Sequence, residues 1–243
     1  MNKIELRPSS QRGISNLGWL YSKHTFSFSS YQDPQHIGFS DLLVINDDIV
    51  MPGMGFGTHP HRDMEIFSYV LEGGLAHQDS MDKSTEIRPG DVQMMSAGTG
   101  IRHSEYNASD KEQVHFLQIW IVPDRTGVAP RYDQRHFSVT EKRGKFRLII
   151  SRDGDQGSLP VYQDTRVYAG LFDGREAQTV SLPKDRYAYV HVARGSIDVN
   201  GQPLTFGDGA KFRNIDELTF SNGHQAEVLL FDLRPNELPA YYR

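Results

Sequence analysis

The chain has 243 residues, a formal net charge of -5 and no cysteine. That balance leaves no global excess of Lys and Arg to neutralise a phosphate backbone or an anionic membrane surface, so nucleic acid is not expected as the main ligand. The absence of cysteine removes disulfides, thiol nucleophiles and thiolate-held metals together, so any metal must sit on His, Asp or Glu.

The N-terminal stretch MNKIELRPSSQRGISNLGWL has no apolar core of signal-peptide length, and no later stretch approaches the ~20 apolar residues that a spanning helix needs. A cytoplasmic protein without a membrane partner is the expectation. Next comes HTFSFSSY, in which His24, Phe26 and Phe28 alternate as in a strand. A packed strand that holds the molecule together is the favoured reading there, ahead of a pocket wall for a flat aromatic substrate. In DLLVINDDIV the apolar run predicts a strand, while Asp47 and Asp48 read as a solvated turn. Asp124, Arg125 and the charges from Glu141 to Lys145 read the same way.

The glycines of GMGFG at 53–57 do not form a phosphate loop, since no Gly-Lys-Ser/Thr follows and no helix opens there. They suit a sharp turn of the backbone at a barrel rim. Strands are then predicted at IFSYVLEG, VHFLQIWIV, YAYVHVARG and EVLLFDL, punctuated by turns among 22 glycines and 12 prolines. Long stretches of helical periodicity are missing, so helices should be few and short.

The two halves repeat one another. Tyr69-Val70 leads to Gly73, to Pro89-Gly90-Asp91 and to an apolar strand from Phe116 to Val122. Tyr189-Val190 leads likewise to Gly195, to Gly207-Asp208-Gly209 and to a strand from Val228 to Leu233. The expectation is an all-β protein of two β-barrel lobes, at 1–122 and 146–243, joined by a linker at 123–145 that crosses the surface.

Two short segments carry chemistry. His59 and His61 are two residues apart in a predicted strand, so their side chains share a face. His103 and Glu105 repeat that spacing, and two such strands in one small barrel bring four donors to one point. Three neutral imidazoles and a carboxylate suit divalent iron, manganese, nickel, copper, cobalt or zinc, with open positions left on an octahedral ion. Glu65 shares the parity of the histidines and competes with Glu105 as the carboxylate. Asp63, Asn107, His115 and Gln118 are further candidates to orient the ligands. His77 and His115 read as ordinary strand positions, and His191 and His224 as structural or surface histidines. Aligning the halves puts Thr179 and Ser181 where His59 and His61 stand, so no metal is expected in the second lobe. The run from Ser96 to Gly100 shows no nucleophile elbow.

These segments resemble known motifs. Gly53, His59, His61 and Glu65 are similar to the first cupin motif, and Gly90, Gly98, His103 and Asn107 to the second. HTFSFSSYQDP at 24–34, FGTHPHRDMEI at 56–66 and SAGTGIRHSEYN at 96–107 resemble signatures of the pirin family, in particular its bacterial members described as quercetin 2,3-dioxygenases. The resemblance covers nearly the whole chain. It implies a bicupin with jelly-roll lobes face to face, and metal ligands at His59, His61, His103 and Glu105. The metal it implies is iron(II). It also implies a flavonol-like aromatic substrate and O2 as partners, with Glu105 taking the substrate proton if it loosens from the metal.

A monomer is expected. Eukaryotic pirins suggest a second reading, a metal-dependent regulatory module with incidental oxygenase activity. A cupin isomerase or hydrolase that uses the metal as a Lewis acid is a third.

Overall fold

The computed structural model describes residues 3–238. The first half of the chain forms β1 (Lys3–Arg7), β2 (Gly13–Asn16), β3 (Leu20–His24), β4 (Leu42–Val50), β5 (Gly55–His61) and β6 (Glu65–Glu72). It continues with β7 (Leu75–Asp79), β8 (Ser84–Ile87), β9 (Asp91–Ser96), β10 (Ile101–Asn107), β11 (Val114–Ile121) and β12 (Arg131–His136). A short helix, α1 (Val139–Lys142), precedes β13 (Phe146–Ser151), β14 (Leu159–Pro160), β15 (Thr165–Phe172) and β16 (Gln178–Ser181). The chain ends in β17 (Tyr187–Val199), β18 (Gln202–Thr205), β19 (Gly209–Arg213) and β20 (Glu217–Leu233). No helix among the described residues is long and apolar enough to cross a membrane.

The first lobe is a jelly roll of two sheets. One runs β12-β9-β6-β11-β4-β3-β2 and the other β5-β10-β7-β8. The second lobe centres on the sheet β1-β19-β17-β20-β15-β13-β14, with β16 on β20 and β18 on β17.

Strand alternation decides what each face meets. On β11, Leu117, Ile119 and Ile121 join a core with Phe67 and Tyr69 of the first lobe and Ile149, Tyr189, Leu229 and Phe231 of the second. That shared core fixes the large sheets face to face, with Phe67 and Phe231 ring centroids 6.4 Å apart. The opposite face of β11 looks into the first lobe, where Val114 and Phe116 pack with Val70 and Leu75. Trp120 packs there too, at the other end, with Ile66, Met95 and Ile101.

Several stretches differ from the sequence reading. β1, at the start of the expected first lobe, pairs with β19 in the sheet of the second. Within the expected linker, β12 pairs with β9 and α1 is closed by a capping box at Ser138 and Glu141. Asp47 and Asp48 are not a solvated turn. They lie inside β4 at 5% and 4% exposure, since Asp47 finds partners in Arg12 at 3.1 Å and His115 at 2.6 Å. Lys142 is buried as well, with its Nζ 3.1 Å from the Tyr69 hydroxyl across the lobe junction.

Candidate metal centre

β10 is a central strand of the small sheet, between β5 and β7. Its alternation buries Ile101, His103, Glu105 and Asn107 and exposes Arg102 and Tyr106. His103 stands opposite His59 on β5 and opposite Asp79 on β7. Glu105 stands opposite Phe56 and His77, beyond a register shift between His103 and Glu105. Gly55 permits that irregularity, because a Cβ there would meet the Glu105 carbonyl oxygen at 2.3 Å.

His59, His61 and His103 converge. One ring nitrogen from each lies within 4.8 Å of the others, and Nε2 of His59 is 3.0 Å from Nε2 of His103. Two nitrogens bound side by side to one octahedral ion at about 2.1 Å sit about 3.0 Å apart, so this spacing fits a shared cation. The tautomer fits too. Nδ1 of His59 lies 2.8 Å from the Gly57 carbonyl oxygen and donates to it, which leaves the Nε2 lone pair free toward the cluster.

Burial, followed by the repulsion of the neighbouring His59, pushes His61 down to about 4. Burial and the surrounding imidazoles push His103 down to about 2. Both rings are thus neutral near pH 7, the form that binds metal.

Glu105 is buried beside this triad, on the wall of the same cavity as His59 and His61. It groups within ligand distance of His103 and His77, while the tight cluster with His59 and His61 contains only the three imidazoles. Gln118 Nε2 donates to its Oε2 at 2.7 Å, and Ser68 Oγ lies 3.2 Å from its Oε1. Burial raises its pKa to about 7, the charge of Asp48 adds to this, and the bonds from Ser68 and Gln118 oppose it. A cation beside it would favour the ionised form. Glu65 faces elsewhere: its Oε2 accepts from Ser96 Oγ at 2.9 Å and from the Tyr162 amide at 3.2 Å.

Of the supporting residues suggested by the sequence, Gln118 reaches Glu105 directly. Asn107 Nδ2 bonds the carbonyls of Val50 and Glu112, His115 is held by Asp47, and Asp63 accepts from the Gly127 amide. His191 is fully buried and His224 exposed. Thr179 and Ser181 of the second lobe stand opposite Thr219 and Glu217.

The sequence reading missed His77 with Asp79, and Ser68. Nδ1 of His77 faces Nδ1 of His103 at 3.4 Å, and its Nε2 lies 2.9 Å from Asp79 Oδ2. The signal was present, since His77 and Asp79 repeat the two-residue spacing of His59 and His61.

Opposite the small sheet, a polar row crosses the large one: His24, Asn46, Gln118, Ser68, Gln93 and Gln134 stand side by side on six successive strands. It lies between the two inner core clusters. A cavity of about 280 Å³ opens beside it, with Leu17, Trp19, Phe28, Phe56 and Trp120 as apolar walls. His24 and Phe28 line this cavity, whereas Phe26 is buried in the core between the lobes. The favoured reading of HTFSFSSY as packing therefore holds for Phe26 alone. The chain leaves β3 after His24, so strict alternation no longer applies to the two phenylalanines.

The family model described as Pirin matches residues 6–121, and that described as Quercetinase C-terminal cupin domain matches residues 148–233. A quercetin 2,3-dioxygenase of Escherichia coli (strain K12) is 46% identical over 232 residues, covering 96% of this chain and 99% of the relative. A pirin-like protein of Caulobacter vibrioides is 40% identical over 230 residues, covering 94% and 99%. The crystal structure of the bacterial pirin YhhW from Escherichia coli in complex with nickel(II) superposes with a TM-score of 0.92 at 45% identity, covering 96% of this chain and 100% of that one.

Proposed function

The chain belongs to the pirin family, with a metal-binding cupin fold, and from that premise we propose that it is a dioxygenase that cleaves a flavonol such as quercetin with O2. The observation that carries this reading is the convergence of three imidazoles, two of them held neutral by burial, at the wall of an aromatic-lined cavity.

His59, His61 and His103 are the proposed ligands, with Glu105 as the fourth. Gln118 and Ser68 each engage one oxygen of that carboxylate, which leaves each oxygen a second lone pair for a cation. Iron(II) is the proposed cofactor, and the same donor set accepts nickel, copper, manganese, cobalt or zinc. When bound, the ion supplies the Lewis acidity and redox chemistry of the reaction.

The protein's own part is positioning and proton handling. Trp19, Phe28, Phe56 and Trp120 hold a flat ring by stacking and keep water from it. Glu105, at the border of cavity and cluster, receives the proton that the substrate hydroxyl gives up. Quercetin-dependent oxygen uptake by the iron-loaded protein tests the reading. The double variant His59→Ala His61→Ala is expected to lose it, and an unchanged rate would overturn the proposal.

One observation favours a second reading, a regulatory module that binds a partner protein. Leu17, Met51 and Met54 are exposed by 62%, 39% and 43%, and Met51 is tied by its amide to the Trp19 carbonyl at the cavity wall. Specific retention of a partner, without turnover of any flavonol, would select that reading.

A further inference from the structure

Asp48 is buried at 4% exposure in the middle of β4, and its Oδ1 has no hydrogen-bond partner. It lies one step along the inner face from the polar row, opposite Ser22 on β3, and both side chains line the cavity. Most of its neighbours' polar groups are committed elsewhere. His24 uses Nδ1 on Asn46 and Nε2 on Ser15, each at 2.8 Å. Arg12 gives Nη1 to Asp47 at 3.1 Å and to the Gly207 carbonyl at 3.3 Å, and Nη2 to the Lys23 carbonyl at 2.9 Å, with its Nε left unpaired. Gln118 is committed to Glu105. Ser22 supports Asp48 in part, and burial still raises its pKa to about 7.

A buried carboxyl with an unpaired oxygen costs stability and gives the fold nothing in return. It belongs to neither cluster of possible metal donors. Trp120, on β11, lines the same cavity, and its buried indole Nε1 also lacks a partner. An acceptor and a donor left unpaired among aromatic walls are complementary to one ligand class, planar aromatics that carry a hydroxyl and a further oxygen.

We propose that Asp48 is a specificity residue whose carboxylate accepts a hydrogen bond from a hydroxyl of an aromatic substrate in this cavity. This rests on the reading of the cavity as the substrate pocket of a dioxygenase, and it adds what that reading lacks, a selector for hydroxylated over plain rings. The indole N–H of Trp120 donates to an oxygen of the same molecule.

The test reads binding and not turnover. The only two tryptophans of the chain, Trp19 and Trp120, both line the cavity, so quenching of tryptophan fluorescence reports its occupancy. The protein is loaded with zinc, which is redox-inert, and titrated with quercetin and with flavone, the parent ring system without hydroxyls. Asp48→Asn is expected to weaken quercetin about tenfold to a hundredfold, the range for a hydrogen bond to a charged group, and to leave flavone within about twofold. Should the amide unsettle the fold, Asp48→Ser is read in the same way against the same two ligands.

Equal loss for both ligands, or no loss for quercetin, would overturn the role of Asp48 while leaving the pocket reading intact. Absence of quenching by either ligand in the unsubstituted protein would remove the pocket reading itself, and this proposal with it.

Discussion

His103 turns Nδ1 toward Nδ1 of His77 at 3.4 Å while its Nε2 faces His59 at 3.0 Å. Asp79 sets the direction of that contact. Its Oδ2 accepts from His77 Nε2 at 2.9 Å, and the amides of Met81 and Lys83 hold its Oδ1 at 2.8 Å and 3.2 Å. With its proton on Nε2, His77 offers a lone pair at Nδ1, which takes the Nδ1 proton of His103 and leaves His103 Nε2 free to bind a cation. Asp79→Asn and His77→Ala are therefore each expected to weaken zinc or nickel binding about ten- to a hundredfold. Competition against a chromophoric chelator measures this, and unchanged affinity in both variants would show that the contact is structural only.

Much of this arrangement was legible because strand periodicity is local. The all-β character followed from short apolar runs between turns, and the convergence of His59, His61 and His103 from two-residue spacings in two strands. What escaped depends on which edges meet. Nothing within residues 3–7 says that they will pair with Gly209–Arg213, because edge pairing is chosen by the partner's free edge. The burial of Asp47 was hidden for a similar reason, since its partners Arg12 and His115 come from distant parts of the chain. The polar row lay in plain view as single polar residues inside FLQIW, FSY and VQM, but its meaning needed the register that aligns them.

Phe26 and Phe28 separate stability from ligand binding. Phe26 is 1% exposed in the core between the lobes, 5.7 Å from the Tyr189 ring, so Phe26→Ala should cost about 3–5 kcal/mol in chemical denaturation. Phe28 lines the cavity at 5.5 Å from Trp120, and Phe28→Ala should mainly weaken flavonol binding. Similar stability losses in the two variants would contradict the division.

His191 predicts a pH dependence apart from the metal cluster. It is fully buried, neither ring nitrogen has a hydrogen-bond partner, and burial followed by the charge of Arg12 lowers its pKa to about 3. The unfolded chain takes up a proton at this position below about pH 6.5 while the folded chain does not. Its contribution is thus fully present above pH 6.5 and is lost as the pH falls toward 3. Between pH 6.5 and 5 the loss is about 2 kcal/mol. Urea denaturation of metal-stripped protein at the two pH values should show a loss on acidification that is about 2 kcal/mol smaller in His191→Leu than in the parent, since the other buried groups titrate alike in both.

Gly55 and Gly57 offer a paired test of how β5 delivers its histidines. A Cβ on Gly55 would sit 2.3 Å from the Glu105 carbonyl oxygen and 2.5 Å from Tyr106 Cα, so the strands must part where the register shifts. A Cβ on Gly57 meets nothing nearer than the Tyr106 hydroxyl at 3.8 Å. Gly55→Ala should therefore destabilise by about 1–3 kcal/mol and weaken metal binding, because the displaced backbone carries His103 and Glu105 with it. Gly57→Ala should stay within about 0.5 kcal/mol of the parent, with the carbonyl that orients His59 left in place. Thermal unfolding with and without zinc reads both quantities at once. Were Gly57→Ala the more damaging of the two, the close approach of β5 to β10 would not be what shapes the site.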